Sequence, residues 1–325
     1  YKSIGFFHPN ANTGGGGKRV LWSAVEKLCD VKHLDIYIYT ADILTATRED
    51  ILNKTYNRFH IDVRHCSQIK FIPLYYRKYI EAANYPMFTL LGQSLASILL
   101  AYEALKQKTP HIFFDSTGYA FTFPLAKLLF GCNVACYVHY PTISSDMLKK
   151  VQDRRPTYNN SNYVSTSTTR TSIKLFYYRM FAFCYKLCGY FADVVMVNST
   201  WTGNHISHMW NKTSLNIVFP TCPTNEFIAN HQRDHTIVSV AQFRPEKNHE
   251  LQLLSFSLFI KKMKEKSTST STSNIPSLIL IGGCRNQGDY DRVTKLKELA
   301  QELGINNYVK FIINAPFTLL KDYLL

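Results

Sequence analysis

A run of four glycines, Gly14–Gly17, lies between a short apolar segment and a helical pattern. Glycine lets the chain turn tightly and lets a ligand approach the backbone closely. The N–H groups and the dipole at the start of the following helix favour an anion. The run is not a Walker A loop, because Asn12 and Arg19 stand where that motif needs its first Gly and its Ser or Thr. It is therefore predicted to bind a ligand that carries phosphate, and the alternative is a plain surface turn.

Two other groups of polar residues follow predicted buried strands. His139 ends one strand, and Arg244 and Lys247 lie in the loop after another. Ligands of open α/β sheets bind beyond the carboxyl ends of the strands. There His139 could donate to a sugar hydroxyl or act on a proton, and the two cations could clamp a diphosphate. The alternatives are a structural histidine and a solvated charged turn in which Glu246 is the partner of the cations.

Two spacings that suggest metal ligands fail on their context. Asp289-x-Asp291 spells the D-x-D of metal-dependent sugar transferases, but it lies just before a predicted helix, where Asp serves as a cap. His231-x-x-x-His235 lacks the Glu of H-E-x-x-H and lies in a polar linker. No metal and no other cofactor is therefore expected.

The elements that must position these residues follow an α/β pattern. Short apolar runs alternate with helical patterns, which predicts parallel sheets with helices on both faces. The pattern restarts after Pro220 and Pro223, so we expect one domain over 1–224 and a second, incomplete domain over 225–325. The predicted strands are Ile4–Phe7, Leu34–Tyr39, His111–Asp115, Val134–His139, Val194–Asn198, Leu215–Phe219, Thr236–Phe243, Leu278–Gly283 and Tyr308–Ile313.

Composition narrows the class of protein. The chain has 325 residues, 46% of them hydrophobic and 18% charged, which excludes disorder, collagen and coiled coil. Lys and Arg number 37 against 23 Asp and Glu, so the net charge of +14 implies a polyanionic neighbour. Nucleic acid is disfavoured because no recognition-helix motif is present. The eight cysteines form no C-x-x-C pair and indicate thiols in a reducing compartment.

The segment Lys174–Phe191 is predicted to form a helix with a wide apolar arc. At 100° per residue, Arg179 and Lys186 fall about 20° apart and form a narrow basic stripe. Such a helix can lie at a membrane interface, or it can be a core helix with one wet edge. No run of 18 uncharged apolar residues is present, so no spanning helix is expected. A basic run upstream adds cationic charge that an anionic surface would attract: Lys149, Lys150, Arg154 and Arg155.

Four segments together resemble the retaining GT-B glycosyltransferases of family 4, and among them the eukaryotic GDP-mannose-dependent α-1,2-mannosyltransferases of dolichol-linked oligosaccharide assembly. The segments are HPNANTGGGGKRVLW, VHYPTISSDML, ADVVMVNSTWT and SVAQFRPEKNHELQL. The resemblance runs from about Ser3 to about Leu325. It implies a GT-B fold, in which two Rossmann-like domains face a cleft, with the second domain truncated in this chain.

The resemblance also implies roles for single residues. Gly14, Gly15, Gly16 and Gly17 would lie near the donor phosphates and the acceptor, and His139 near the transferred sugar. Arg244 and Lys247 would hold the donor pyrophosphate, with Gly282 and Gly283 in the same donor site. Members of the family usually have Gly-Arg at the two positions where this chain has Ala241-Gln242, so their arginine stands two residues before Arg244. The later E-x7-E segment of the family would follow Leu325, so activity is expected of a longer chain.

The implied reaction moves mannose from GDP-mannose, with retention and in α-1,2 linkage, onto a dolichol-pyrophosphate-linked oligosaccharide. Positive groups would stabilise the leaving diphosphate without a metal. The implied partners are the two substrates, a membrane surface and other mannosyltransferases of the pathway, with no nucleic acid. The implied location is the cytoplasmic face of the endoplasmic reticulum membrane. The alternative function is a catalytically inert, membrane-associated partner of another glycosyltransferase.

Overall fold

The computed structural model describes residues 2–12, 15–143, 147, 152, 168–222, 224, 234–266, 275–284 and 286–325. The chain divides into two compact units, Tyr1–Thr221 and Cys222–Leu325.

The first unit contains a seven-stranded parallel sheet in its described part. Its strands are β1 (Lys2–Phe7), β2 (Leu34–Thr40), β3 (Ile69–Pro73), β4 (Ile112–Asp115), β5 (Asn133–Val138), β6 (Val194–Val197) and β7 (Asn216–Ile217). Its helices are α1 (Gly16–Cys29), α2 (Arg48–Phe59), α3 (Thr89–Gln107), α4 (Thr168–Tyr190) and α5 (Thr200–Trp210). The strand order is β3-β2-β1-β4-β5-β6-β7.

The order of the strands creates a switch point beside β1. This strand pairs with β2 on one side and with β4 on the other, both in parallel. The chain therefore builds the sheet outward in opposite directions from β1 and β4. Ligands of open α/β sheets bind at such a point, beyond the carboxyl ends of the strands.

Helices cover both faces of this sheet, which explains why its strands are continuous apolar runs. Trp22 of α1 and Leu52 of α2 are buried on one face. Leu100 of α3, Phe181 of α4 and Trp210 of α5 are buried on the other.

Helix α1 is fixed at the loop that follows β1. Gly15 is its N-cap and has φ of 125°, which only glycine adopts without strain. The indole Nε1 of Trp22 donates to the carbonyl oxygen of Ala11 at 3.2 Å. The start of the helix and the described part of the glycine loop are thereby held against the end of β1.

A disulfide joins Cys29, at the end of α1, to Cys66. The expectation of thiols throughout is wrong for this pair. The two cysteines lie 37 positions apart, and their Cα atoms come within 5.8 Å through packing that residue spacing does not reveal. Cys184 and Cys188 are free thiols and are half-buried.

The second unit contains a parallel sheet of order β10-β9-β8. Its strands are β8 (Thr236–Val240), β9 (Ser277–Gly282) and β10 (Val309–Ile313), and its helices are α6 (His249–Lys266), α7 (Gln287–Glu302) and α8 (Phe317–Leu324). Phe243, Leu253, Leu280 and Val293 lie in its core. The predicted α/β class, with a parallel sheet in each part, is confirmed.

Candidate functional site

The carboxyl edge of the first sheet gathers polar residues from three strands. His8 follows β1, Ser116 follows β4 and His139 follows β5. The start of α1 lies at the same edge, because a Cβ atom built on Gly17 would come within 3.2 Å of His139 Nε2. The sequence therefore placed His139 and the glycine run correctly at one edge of the sheet. Gly14 lies outside the described residues.

His139 presents an acceptor nitrogen. Its imidazole donates to the backbone carbonyl of Ser116, while its Nε2 is buried without a partner. Burial lowers the pKa of His139, and the Lys18 cation lowers it further against the effect of that hydrogen bond. The ring is thus neutral at pH 7, and a neutral ring that donates through Nδ1 leaves a lone pair on Nε2. The geometry suits acceptance from a hydroxyl rather than donation to one.

His8 is a second buried imidazole, and no motif in the sequence indicated it as a site residue. The residue is 2% exposed, and its Nδ1 lies 2.7 Å from Ser116 Oγ. Its Nε2 has no partner. Burial, Lys18 and His139 together lower the pKa of His8 to about 3, so this ring is also neutral. The available signal was its place as the first residue after the predicted strand Ile4–Phe7, because ligands of open α/β sheets bind beyond the carboxyl ends of the strands.

Asp115 shapes the loop after β4. Its Oδ1 accepts from the backbone N–H of Thr117 at 3.0 Å and from the Thr117 hydroxyl at 2.9 Å, and its Oδ2 accepts from Gly118 N at 3.0 Å. Burial raises the pKa of Asp115 to about 6, and these hydrogen bonds oppose the rise. The carboxylate is occupied with its own loop and fixes the position of the adjacent Ser116.

Lys18 brings positive charge to this edge. Burial lowers its pKa, and the charge of Asp42 opposes that shift. Asp42 Oδ2 accepts from Asn12 N at 2.7 Å and from Thr40 Oγ1 at 3.1 Å. This carboxylate therefore also stabilises the loops beside it through hydrogen bonds. The edge thus combines a half-buried amine, a helix N-terminus and two neutral imidazoles, which is an arrangement suited to a phosphate-bearing, hydroxyl-rich ligand.

The second unit brings its predicted donor residues to one edge of its own sheet. Phe243 N donates to the Gly283 carbonyl at 3.2 Å, which joins the loop of Arg244 and Lys247 to the end of β9. A Cβ atom on Gly282 would overlap the carbonyl oxygen of Ala241, so only glycine allows this approach.

The two predicted cations differ in their surroundings. Arg244 Nη1 lies 3.8 Å from Glu246 Oε1, and Arg244 Nε is buried without a partner. Lys247 is exposed in the short turn Pro245–Lys247. Glu246 is thus a partner of Arg244, as the charged-turn alternative required, but the unpartnered Nε leaves donor capacity for an anion.

Comparison with known proteins identifies the family. The profile described as "ALG11 mannosyltransferase N-terminus" matches residues 1–210. The chain belongs to this family. It is 46% identical over 329 residues to the mouse protein named GDP-Man:Man(3)GlcNAc(2)-PP-Dol alpha-1,2-mannosyltransferase, with 99% of this chain and 65% of the mouse protein covered. The protein of the same name from Dictyostelium discoideum is 43% identical, with 96% and 62% covered. The chain thus spans just under two thirds of the length of these ALG11-family relatives.

Comparison with solved structures shows that this chain has the GT-B fold. The N-terminal domain of Candida albicans trehalose-6-phosphate phosphatase matches with a TM-score of 0.58 at 12% identity, covering 96% of this chain and 72% of that one. The α,α-trehalose 6-phosphate synthase of Burkholderia multivorans matches with a TM-score of 0.58 at 11% identity, covering 98% and 75%. At such low identity the likeness shows the fold alone.

One face of α4 in this ALG11-family chain is apolar and exposed. Phe176 is 69% exposed and Phe183 60%, and Met180 and Leu187 between and beyond them are exposed as well. The interpretation of this face as core is wrong, because the helix buries the opposite face, with Phe181 inward. The basic run Lys149, Lys150, Arg154 and Arg155 lies outside the described residues. Within the described ranges, no helix combines the length and apolarity needed to span a bilayer.

Asp289-x-Asp291, the first of the two metal-like patterns in the sequence, lies at the start of α7. Asn286, not Asp289, is the N-cap of α7, and its Oδ1 accepts from Asp289 N at 3.1 Å. Asp289 lies in the first turn and is buried. Among the described residues, no group of three or more His, Cys, Asp or Glu is placed to hold a metal ion. His231 lies outside the described part of the chain.

Proposed function

We propose that this protein transfers mannose from GDP-mannose, in α-1,2 linkage and with retention, to a dolichol-pyrophosphate-linked oligosaccharide of N-glycan precursor synthesis. The observation that carries the proposal is the identity of 46% along 99% of the chain to relatives whose names state this reaction. Those names give Man(3)GlcNAc(2)-PP-Dol as the acceptor. We extend the same acceptor to this protein.

The donor site is proposed to lie at the carboxyl edge of the second sheet. Arg244 and Lys247 bind the pyrophosphate of GDP-mannose, and the close backbone approach at Gly282 and Gly283 leaves room for the nucleotide. Negative charge grows on the leaving phosphate as its bond to mannose breaks. Fixed positive groups that face this oxygen stabilise the transition state more than the ground state, and a single preorganised donor is worth about 10²–10³ in rate. These cations make a metal or other cofactor unnecessary in the proposed mechanism.

His139 is proposed to act on the transferred sugar. Its neutral Nε2 lies against Gly17 at the edge of the first sheet and accepts a hydrogen bond from a sugar hydroxyl. Such a contact orients mannose without taking a proton from it. No carboxylate of the described site is placed as a nucleophile, so no covalent intermediate is proposed.

The membrane surface is the proposed third partner. The acceptor carries a polyprenyl chain, so its pyrophosphate remains at the surface of the bilayer. The exposed apolar face of α4 supplies side chains such as Phe176 and Phe183 that can enter the interface, and the +14 net charge attracts anionic headgroups. We place the protein at the cytoplasmic face of the endoplasmic reticulum membrane, where other mannosyltransferases of the pathway would be neighbours.

The deciding experiment measures mannose transfer by the chain extended to the full length of its relatives. The substrates are radiolabelled GDP-mannose and a lipid-linked Man(3)GlcNAc(2) pyrophosphate. We expect products longer by mannose that an α-1,2-mannosidase shortens again. Folded protein that binds both substrates and transfers nothing would establish the inert-partner function instead.

A further inference from the structure

His8 carries a buried nitrogen that the fold leaves unused. The ring is 2% exposed, its Nδ1 is bonded to Ser116 Oγ at 2.7 Å, and its Nε2 has no partner. Buried polar atoms in proteins are nearly always hydrogen-bonded, and an unmade bond is costly. The contact to Ser116 fixes the ring, so Nε2 is held in one direction. The ring lies at the carboxyl edge of the sheet, because His8 directly follows β1 and its partner Ser116 directly follows β4.

The surroundings of His8 favour an anion. Lys18 lies in the first turn of α1, whose N-terminus carries partial positive charge. The nearby carboxylates are engaged elsewhere: Asp42 accepts from Asn12, and Asp115 accepts from its own loop. An anion can accept from the amine, the helix start and a neutral imidazole together when the imidazole donates. That tautomer arises when the Ser116 hydroxyl donates to Nδ1 and the proton sits on Nε2.

We propose that His8 is a ligand-binding residue of this edge, donating from Nε2 to a phosphate oxygen of a pyrophosphate-bearing substrate, with Ser116 as the residue that positions it. The Ser116 side chain holds His8, and its backbone carbonyl holds His139. One residue at the end of β4 therefore sets both imidazoles. The substrate class rests on the proposed function, in which both the nucleotide donor and the lipid-linked acceptor carry a pyrophosphate.

Two substitutions separate the ligand role of His8 from a purely structural role. The amide of asparagine occupies the position of the imidazole Nδ1, so His8→Asn keeps a partner for Ser116 and removes the group at Nε2. The amide of glutamine reaches the position of Nε2, so His8→Gln keeps a donor for the ligand and loses the contact with Ser116. If His8 binds the ligand, His8→Asn should weaken ligand binding more than His8→Gln does. If His8 is purely structural, His8→Gln should lower the stability of the protein more than His8→Asn does, with no separate effect on binding.

The experiment measures binding of inorganic pyrophosphate to the 325-residue chain by titration calorimetry, with the melting temperature of each variant recorded. We expect His8→Asn to weaken binding about 10- to 100-fold, which is the effect of one hydrogen bond to a charged group. His8→Gln should bind within a fewfold of wild type. Ser116→Ala removes the hydroxyl that holds the Nε2–H tautomer of the His8 ring and should weaken binding. Glutamine at position 8 escapes this effect because its amide always carries a donor, so the outcome does not depend on the folding of one variant.

The control is a matched pair at the opposite edge of the sheet. Ser3 Oγ lies 2.8 Å from His111 Nδ1, and this pair also joins β1 to β4 across 108 positions. His111→Asn should leave pyrophosphate binding unchanged. Wild-type protein that does not bind pyrophosphate, or His8→Asn that binds it as wild type does, would overturn the proposal.

Kinetics of the extended chain identify the source of the pyrophosphate. A rise in KM for GDP-mannose in His8→Asn assigns the contact to the donor, and a rise for the lipid-linked acceptor assigns it to the acceptor. Binding of pyrophosphate that depends on His8, in a protein that transfers no mannose, would refute the proposed function and leave the role of His8 standing. Mannose transfer with unchanged constants for both substrates in His8→Asn would refute the role of His8 alone.

Discussion

The buried imidazole of His8 should make the first unit sensitive to acid. Its pKa is about 3 in the folded protein, because burial, Lys18 and His139 disfavour the cation. In the unfolded chain the pKa is near 6.5. Between these values the unfolded state binds more protons than the folded state, so stability falls as pH decreases below about 6.5.

The size of the effect follows from the two pKa values. Between pH 7 and pH 5, protonation of His8 in the unfolded chain lowers the free energy of unfolding by about 2 kcal/mol. Asp115 acts in the opposite direction, because burial raises its pKa to about 6 and the folded state takes up its proton first. That contribution is about 1 kcal/mol over the same interval and is common to wild type and a His8 variant. The comparison of His8→Asn with wild type therefore isolates the histidine.

The assay is urea unfolding followed by tryptophan fluorescence at pH 7 and pH 5. The three tryptophans are Trp22, Trp201 and Trp210, and all lie in the first unit, so the signal reports the unit that contains His8. Wild type should lose about 2 kcal/mol more stability than His8→Asn between the two pH values. The His111→Asn variant should follow wild type.

A different result would contradict this reasoning in a defined way. Equal losses in wild type and His8→Asn would mean that His8 is protonated with similar ease in both states. The ring would then be accessible to water in the folded protein, and its Nε2 would have no need of a ligand.

Three other variants test the rest of the molecule. Lys247→Ala in the extended chain should lower turnover of GDP-mannose by about 10² or more, because the pyrophosphate loses a charged partner. Gly189→Ala should destabilise the first unit by about 1–3 kcal/mol in the same urea assay, because its Cβ atom would overlap the indole of Trp210. The double variant Phe176→Ser and Phe183→Ser should reduce sedimentation of the chain with anionic phospholipid vesicles, and binding by wild type should weaken with added salt.

Matched control variants test whether these effects are specific to the residues named. Lys261→Ala removes a charge from the exposed side of α6, so turnover that falls equally in Lys261→Ala and Lys247→Ala would refute the donor role of Lys247. Leu251→Ser with Leu258→Ser removes apolar side chains of similar exposure from the same helix. Equal loss of vesicle binding from both double variants would refute a specific role for α4. An unchanged free energy of unfolding in Gly189→Ala would contradict the close packing of α4 on α5.

Local pattern determined most of the secondary structure. The predicted strands that correspond to β1, β2, β4, β5 and β6 are confirmed within two residues at each end, because a strand covered on both faces is a continuous apolar run. Helix α2 and strand β3 were missed. The capping box of Thr47 and Asp50 was a readable start for α2, but the polar composition of the segment concealed its one buried face, Ile51, Leu52 and Thr55.

The candidate site could be predicted only in part from the sequence. Strand ends are visible in sequence, so the edge positions of His139, the glycine run and the Arg244 loop were predicted. The pairing of His8 with Ser116 was not, because it joins residues 108 positions apart through the strand order β1-β4. The same limit explains the missed disulfide of Cys29 and Cys66.

Helix α4 shows most clearly what tertiary structure decided. Its sequence is apolar around most of its circumference, and the same pattern fits a core helix and an interfacial one. Helical periodicity states which side chains share a face, but not which face meets the sheet. Packing turned Phe181 and Tyr185 inward and left Phe176 and Phe183 exposed. The sequence by itself determined the elements and the chemistry at their ends, while the long-range packing of those elements decided which side chains meet and which surface remains uncovered.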